Sequence, residues 1–199
     1  LHENATVDLF MAPGKLSQVK DHLPKTLRCH PVDDFLAKVA TLDGLVSVDA
    51  ASLPQIVADA LVDCLIDAGD PCALPKARKN AAEIAGSAAA HLRDGAAVVE
   101  LLAWLDAQPS GSLTEMQVAK RLEELRRRDP ALRDISFETI SGTGENGAVM
   151  HYRVTEESDS RLEESHLLVL DSGGQYLDGT TDITRTIAIG TPGDDECAA

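Results

Sequence analysis

Two carboxylates near the end of the sequence are placed where they can bind a cation. Asp171 closes the apolar run 167–170, and Asp182 opens the next one, with Gly173 and Gly174 between them. If the chain turns back at the glycines, the two aspartates lie on adjacent strands. Hard divalent cations prefer carboxylate oxygens, and a bound cation would relieve the repulsion between the two charges. The residues alone leave a second interpretation, in which both aspartates only cap turns.

A histidine upstream of the carboxylates follows a glycine-rich segment. Residues 148–154 are rich in strand formers, so we predict that His151 lies within a strand, where it either faces a pocket or makes a structural hydrogen bond. Gly142, Gly144 and Gly147 fit the dinucleotide pattern G-x-G-x-x-G. That pattern needs a helix after the third glycine. Because strand formers follow instead, we interpret the segment as a loop between strands.

The first part of the chain alternates short predicted elements. The sequence predicts a short helix over 15–22, a strand over 44–48 and an amphipathic helix over 53–68. Two prolines and a glycine within 69–75 then break the pattern. We therefore predict that residues 1–75 and 76–199 belong to different domains.

The sequence of residues 76–199 predicts helices followed by strands. The longest helical pattern covers 76–108, and Thr114 with Gln117 resembles a capping box that opens a second helix over 114–128. Four strands are then predicted, each a β-branched or aliphatic run: 135–140, 148–154, 166–170 and 183–189. Since no crossover helices separate these strands, we predict an α+β domain with helices on one face of an antiparallel sheet.

Composition excludes several kinds of partner. The 199 residues carry a net charge of −15, which argues against nucleic acid or an anionic membrane as a partner. The four cysteines are scattered, which suits a reducing cytoplasm better than a disulfide framework or a zinc site. We see no signal peptide or membrane-spanning run and expect a cytoplasmic protein. The sequence begins with Leu1 rather than Met, so an upstream targeting segment would change that expectation.

The segment 171–186, Asp-Ser-Gly-Gly-Gln-Tyr-Leu-Asp-Gly-Thr-Thr-Asp-Ile-Thr-Arg-Thr, resembles the signature of Xaa-Pro aminopeptidases, the aminopeptidase P branch of the pita-bread metallopeptidases. The resemblance continues through 140–152 and upstream into 79–84 and 93–98. It implies that 76–199 is the first half of a pita-bread catalytic domain. Residues 1–75 would then be the end of a preceding creatinase-type α/β domain.

The resemblance also assigns roles to three residues. Asp171 matches a terminal metal carboxylate, Asp182 matches the carboxylate that bridges two ions, and His151 matches a catalytic histidine that lines the substrate pocket. It implies two divalent ions, commonly Mn²⁺, with Zn²⁺ or Co²⁺ as alternatives. The substrates would be peptides with proline at position two, from which the N-terminal residue is released. It is also compatible with a homodimer.

The ligand set of that family is incomplete in this sequence. Its remaining ligands, one histidine and two glutamates, have no match after Asp182, so we expect the sequence to stop before the site is complete. Because it begins with Leu1 rather than Met, we expect it to be incomplete at the N-terminus as well. We also expect weak metal binding and little or no hydrolysis from the chain alone. Three alternatives stay open: a sister prolidase or creatinase-like hydrolase, a non-catalytic pita-bread protein that binds peptides or partners, and a stable fragment with no activity.

Overall fold

A computed structural model describes residues 1–17 and 19–198. The chain forms two compact units, Leu1–Arg78 and Lys79–Ala199. Among the described residues, no helix is both long enough and apolar enough to cross a membrane.

The first unit contains two pairs of parallel strands and short helices. Strand β1 pairs with β2, and β3 pairs with β4. Its small core contains the buried side chains of Val39, Val57 and Leu61. In chain order its elements are β1 (Val7–Phe10), β2 (Leu27–His30), α1 (Phe35–Val39), β3 (Val46–Val48), α2 (Gln55–Ala60), β4 (Leu65–Asp67) and α3 (Ala73–Ala77).

The helix predicted over 53–68 is wrong in its second half. Helix α2 ends at Ala60, and the following apolar residues form β4, where Leu65 lies beside Val46 of β3. A short apolar run is compatible with either a helix or a strand. Here it forms a strand, because β3 offers backbone groups with which β4 pairs.

Two other local predictions in the first unit also need correction. The short helix expected over 15–22 is replaced by 3₁₀ turns at Pro13–Lys15 and Lys20–His22, while Gln18 lies outside the described residues. The proline-rich segment expected to be irregular ends in α3. Pro75 lies in the first turn of α3, where its missing N–H group removes no intrahelical hydrogen bond.

The second unit is an α+β arrangement, as predicted, with an antiparallel sheet in the order β6-β7-β9 and a separate antiparallel pair, β5 with β8. Leucines from two helices and from β7 form its buried core, including Leu101, Leu122 and Leu168. Its elements are α4 (Ala81–Asp106), α5 (Glu115–Arg126), β5 (Leu132–Ile135), β6 (Ile140–Thr143), β7 (Leu167–Ser172), β8 (Gly174–Tyr176), β9 (Ile183–Ala188) and α6 (Asp194–Ala198).

Both long helices begin at capping boxes. The side chain of Thr114 accepts a hydrogen bond from the N–H group of Gln117, and the Gln117 side chain accepts one from Thr114, so the predicted capping box is confirmed. Asn80 and Glu83 make the same reciprocal pair at the start of α4. Helix α4 was predicted to begin at residue 76 but begins at Ala81, because the capping box at Asn80 and Glu83 provides acceptors for free N–H groups at that point.

The strand predicted over 135–140 is divided between two strands. Ile135 ends β5 and Ile140 begins β6. Between them the chain turns, because the N–H group of Ser136 donates to the carbonyl oxygen of Gly173 and its hydroxyl donates to that of Thr181. The run therefore contributes to two different strand pairs rather than to one continuous strand.

Two glycines of α4 differ in their surroundings, and this difference predicts opposite effects on stability. A side chain at Gly86 would overlap the carbonyl oxygen of Asp178, whereas nothing lies within 4 Å of the corresponding position at Gly95. We expect Gly95→Ala to raise the free energy of unfolding by about 0.5–1 kcal/mol through helix propensity. Gly86→Ala should lower it by about 1–3 kcal/mol through overpacking.

Urea unfolding of both variants measures this difference directly. Because both changes add the same methyl group to the same helix, each variant is the control for the other. Equal stability of the two variants would contradict the close approach of α4 to the turn at Asp178.

Candidate metal centre

The pairing of β7 with β9 brings the two predicted metal carboxylates to one face of the sheet. Asp171 lies opposite Thr184 in the antiparallel register, and Asp182 precedes Thr184 by two residues. Opposed residues and alternate residues point to the same side of a sheet. Asp182 lies one residue before β9, and extending the alternation by that residue makes Asp171 and Asp182 diagonal neighbours, a relation that typically separates Cα atoms by about 7–8 Å.

The face that carries the carboxylates is polar and accessible. Asp171 is half-buried and accepts a hydrogen bond from the hydroxyl of Thr184 at 2.8 Å, while Asp182 is exposed. Side chains on the other face of β7, such as Leu168 and Leu170, are buried in the core. The core therefore fixes the strands from one side and leaves carboxylate oxygens free on the other.

These residues fit a divalent cation as part of its ligand set. Two carboxylates on one accessible face supply the hard oxygen donors that such ions prefer. Among residues 1–17 and 19–198, however, no group of three or more His, Cys, Asp and Glu side chains is arranged to hold a metal ion. The described residues thus provide a pair of ligands rather than a closed site.

The prediction that His151 lies within a strand is wrong. The glycine-rich segment continues into a 3₁₀ helix, Gly144–Ala148, and His151 follows in a turn with φ of 54°. The chain folds back within this segment, so that the backbone of Asn146 lies close to Gly142. His151 is exposed. A left-handed conformation is uncommon for a residue other than glycine, so neighbouring contacts must hold this turn.

A buried glutamate that no sequence pattern pointed to supplies those contacts. Glu115, the first residue of α5, is fully buried. Its carboxylate accepts hydrogen bonds from the Tyr152 hydroxyl at 2.8 Å, from the Asn146 side chain at 3.0 Å and from the Thr143 N–H group at 2.7 Å. Burial, together with the nearby Glu115, raises the pKa of Tyr152, which keeps its hydroxyl protonated as a donor. Both sides of the glycine-rich turn are therefore tied to one helix.

Replacing Glu115 should destabilise the second unit. We expect Glu115→Ala to lower the free energy of unfolding by about 3 kcal/mol or more, because several buried donors lose their common acceptor. Glu124→Ala is the matched control, since this exposed glutamate lies on the same helix and only pairs with Arg121 at 3.2 Å. The control should change stability by less than about 0.5 kcal/mol. Similar losses for both variants in urea unfolding would argue against a structural role of the buried carboxylate.

A second buried network lies on the helix side of the sheet. Arg126 of α5 donates to both carboxylate oxygens of Asp94 on α4, at 2.6 and 3.0 Å. Asp94 also accepts hydrogen bonds from the hydroxyls of Tyr176, at 2.8 Å, and Thr181, at 2.7 Å. Periodicity alone would place these charged residues on solvated helix faces, so their burial could not be predicted from the sequence.

The protonation states in this network follow from its contacts. Burial alone would raise the pKa of the Asp94 carboxyl, but the hydrogen bonds from Arg126 and Thr181 and the Arg126 charge lower it below its ordinary value. Burial and the neighbouring Asp94 carboxylate strongly raise the pKa of Tyr176. Asp94 is therefore an anion and Tyr176 a neutral donor across the physiological range.

The sequence model of metallopeptidase family M24 matches residues 80–198, which is more than half of the chain. The chain therefore belongs to this family. Its second unit is the corresponding part of a pita-bread metallopeptidase fold.

Individual relatives are Xaa-Pro aminopeptidases by name. The chain is 44% identical over 200 residues to a probable Xaa-Pro aminopeptidase P of Laccaria bicolor, covering 96% of this chain and 31% of that protein. It is 36% identical over 205 residues to the probable Xaa-Pro aminopeptidase P of Aspergillus niger, covering 95% and 33%. The chain thus spans about a third of the length of these relatives.

A solved structure shows the same fold over nearly the whole chain. The X-prolyl aminopeptidase of Caenorhabditis elegans, described as a cytosolic enzyme with a di-nuclear active site, superposes with a TM-score of 0.83 at 26% identity. The match covers 94% of this chain and 33% of that one. The prolidase of Pyrococcus furiosus also matches, with a TM-score of 0.72, but at 21% identity this likeness concerns the fold alone.

Proposed function

We propose that this chain is part of a dimetal aminopeptidase that releases the N-terminal residue from peptides with proline at position two. The observation that carries the proposal is the placement of Asp171 and Asp182 on one accessible sheet face. The names of its relatives, Xaa-Pro aminopeptidases, support the substrate class, and the di-nuclear site of the Caenorhabditis elegans enzyme supports the use of two ions.

Each predicted site residue has a role in this proposal. Asp171 would bind one ion and Asp182 would bridge two, for which we expect Mn²⁺, with Zn²⁺ or Co²⁺ as alternatives. When bound, the ions would supply Lewis acidity to the scissile carbonyl. His151, exposed on its turn, would orient the peptide or donate a hydrogen bond to the carbonyl oxygen as negative charge develops there.

The proposal extends to the remaining parts of the molecule. Residues 1–75 would be the end of a creatinase-type domain, and residues 76–199 the first half of the catalytic domain. We propose a cytoplasmic enzyme, by analogy with the relative described as cytosolic. Because the described residues hold only a pair of ligands, we expect the isolated chain to bind Mn²⁺ weakly and to hydrolyse peptides little or not at all.

A comparison of three peptides tests the substrate class. In the natural full-length protein with Mn²⁺, we expect cleavage of a tripeptide with proline at position two and little cleavage of the matched tripeptide with alanine there. A chelator should abolish the activity, and added Mn²⁺ should restore it. Preferential cleavage of an Xaa-Pro dipeptide would instead indicate a prolidase, and binding without hydrolysis would indicate a non-catalytic peptide-binding protein.

A further inference from the structure

The residues next to the two predicted metal ligands are held from behind the sheet. Ser172 follows Asp171, and its hydroxyl accepts a hydrogen bond from Arg126 at 3.0 Å. Thr181 precedes Asp182, and its hydroxyl donates to Asp94 at 2.7 Å. Both hydroxyls are buried, whereas Asp171 is half-buried and Asp182 is exposed, so these contacts lie on the face away from the carboxylates.

Asp94 and Arg126 connect these two contacts rigidly. The guanidinium group of Arg126 makes two parallel hydrogen bonds to the Asp94 carboxylate, a geometry that fixes both groups in one plane. Both side chains and the hydroxyls that they contact are almost fully removed from solvent, with exposed fractions of 0–1%. One ion pair therefore connects Ser172, the residue after Asp171, to Thr181, the residue before Asp182.

Physical considerations suggest that this ion pair does more than stabilise the fold. Burying two charges is costly, and apolar residues of similar volume often stabilise a core better than a buried ion pair does. At the same time, Asp171 and Asp182 lie on the same face of the sheet and repel each other when both are ionised. A fixed connection between their neighbours would hold the two carboxylates near the separation that two ions require.

We propose that Asp94 and Arg126 are positioning residues that set the distance between Asp171 and Asp182 through Ser172 and Thr181. This inference rests on the proposed function, because it assumes that the two carboxylates bind metal. It assigns a role in metal binding to α4 and α5, although neither residue of the pair reaches the metal face.

Calorimetric titration of the metal-free, natural full-length protein with Mn²⁺ tests the inference. Thr181→Val removes the hydroxyl that reaches Asp94, and Ser172→Ala removes the one that Arg126 contacts. We expect each variant to weaken Mn²⁺ affinity about tenfold, as loss of an outer-shell contact typically does. Thr181→Ser, which keeps the hydroxyl, should restore affinity to within about twofold of the wild type.

Tyr176→Phe is the matched control. It removes another hydrogen bond to the same Asp94 carboxylate, but Tyr176 is a sequence neighbour of neither predicted ligand. We expect it to lower the melting temperature of the metal-free protein while changing Mn²⁺ affinity less than about twofold, well below the effect of an outer-shell loss. Melting temperatures measured for all variants separate a general loss of stability from a loss of metal affinity.

Two results would overturn the inference in different ways. If Thr181→Val and Ser172→Ala change Mn²⁺ affinity no more than Tyr176→Phe does, the pair has only a structural role, and the proposed function is untouched. If Mn²⁺ affinity in the wild type does not depend on Asp171 or Asp182, the proposed metal site itself is wrong. The second result is obtained from Asp171→Asn and Asp182→Asn in the same titration.

Discussion

Asp171→Asn is expected to weaken Mn²⁺ binding and to lower kcat/KM of the proposed peptidase activity by more than about 100-fold in the full-length protein. Loss of an outer-shell contact alone typically costs about 10–100-fold, and Asp171 would contact the ion directly. The amide keeps the size of the side chain and its capacity to accept from Thr184, but it removes the negative charge. The fold should therefore persist while metal affinity falls, as measured by calorimetry and by peptide hydrolysis.

Asp178→Asn provides the control for this experiment. Asp178 lies in the turn between β8 and β9 and pairs with Arg93 at 2.5 Å. We expect its replacement to alter metal affinity and hydrolysis less than about twofold, far below the effect of a ligand loss. Comparable losses for Asp171→Asn and Asp178→Asn would mean that general acidity, rather than a defined ligand, attracts the ion.

The largest loss of stability is expected for Asp94→Ala. This change leaves the guanidinium group of Arg126 buried without its counterion, which typically costs about 3–5 kcal/mol. It also leaves the Tyr176 hydroxyl without its acceptor. Urea unfolding of the second unit measures the loss. The double variant Asp94→Leu/Arg126→Met should recover most of the stability that Asp94→Ala loses, because it leaves no unpaired charge.

The same carboxylate predicts how stability depends on pH. The pKa of Asp94 is lower in the folded protein than in the unfolded chain, so its contribution is complete above the ordinary pKa of about 3.9 and is lost as pH falls through the folded value. The wild type should therefore lose stability below about pH 4 more steeply than the apolar double variant does. Identical acid unfolding profiles for the two proteins would contradict this assignment.

Local sequence signals predicted part of the fold correctly. The capping box at Thr114 and Gln117 identified the start of α5, because its side chains need only the adjacent backbone. The predicted strands 166–170 and 183–189 became β7 and β9, with their ends shifted by no more than two residues. Their register sets Asp171 opposite Thr184, two residues beyond Asp182, and a shared metal site for the two aspartates stays a prediction.

Features that depend on distant partners were not visible in the sequence. Residues 148–154 contain strand formers, yet the side chain of Asn146 and the hydroxyl of Tyr152 bind Glu115, and these contacts favour a turn. The burial of Asp94 depends on Arg126, which follows it by 32 positions. Charged residues are almost never fully buried unless paired, and the sequence does not show which distant residues pair, so neither could be predicted to lie inside.

The central position of β7 has a consequence for amide hydrogen exchange. Strand β7 is hydrogen-bonded on both sides within β6-β7-β9, so its amides, including that of Asp171, should exchange only when the unit opens widely. His151 lies in an exposed turn, and its amide should exchange through small local fluctuations. The proposed catalytic centre would thus combine one ligand, Asp171, that keeps its position over long times with a histidine that is free to adjust to each peptide.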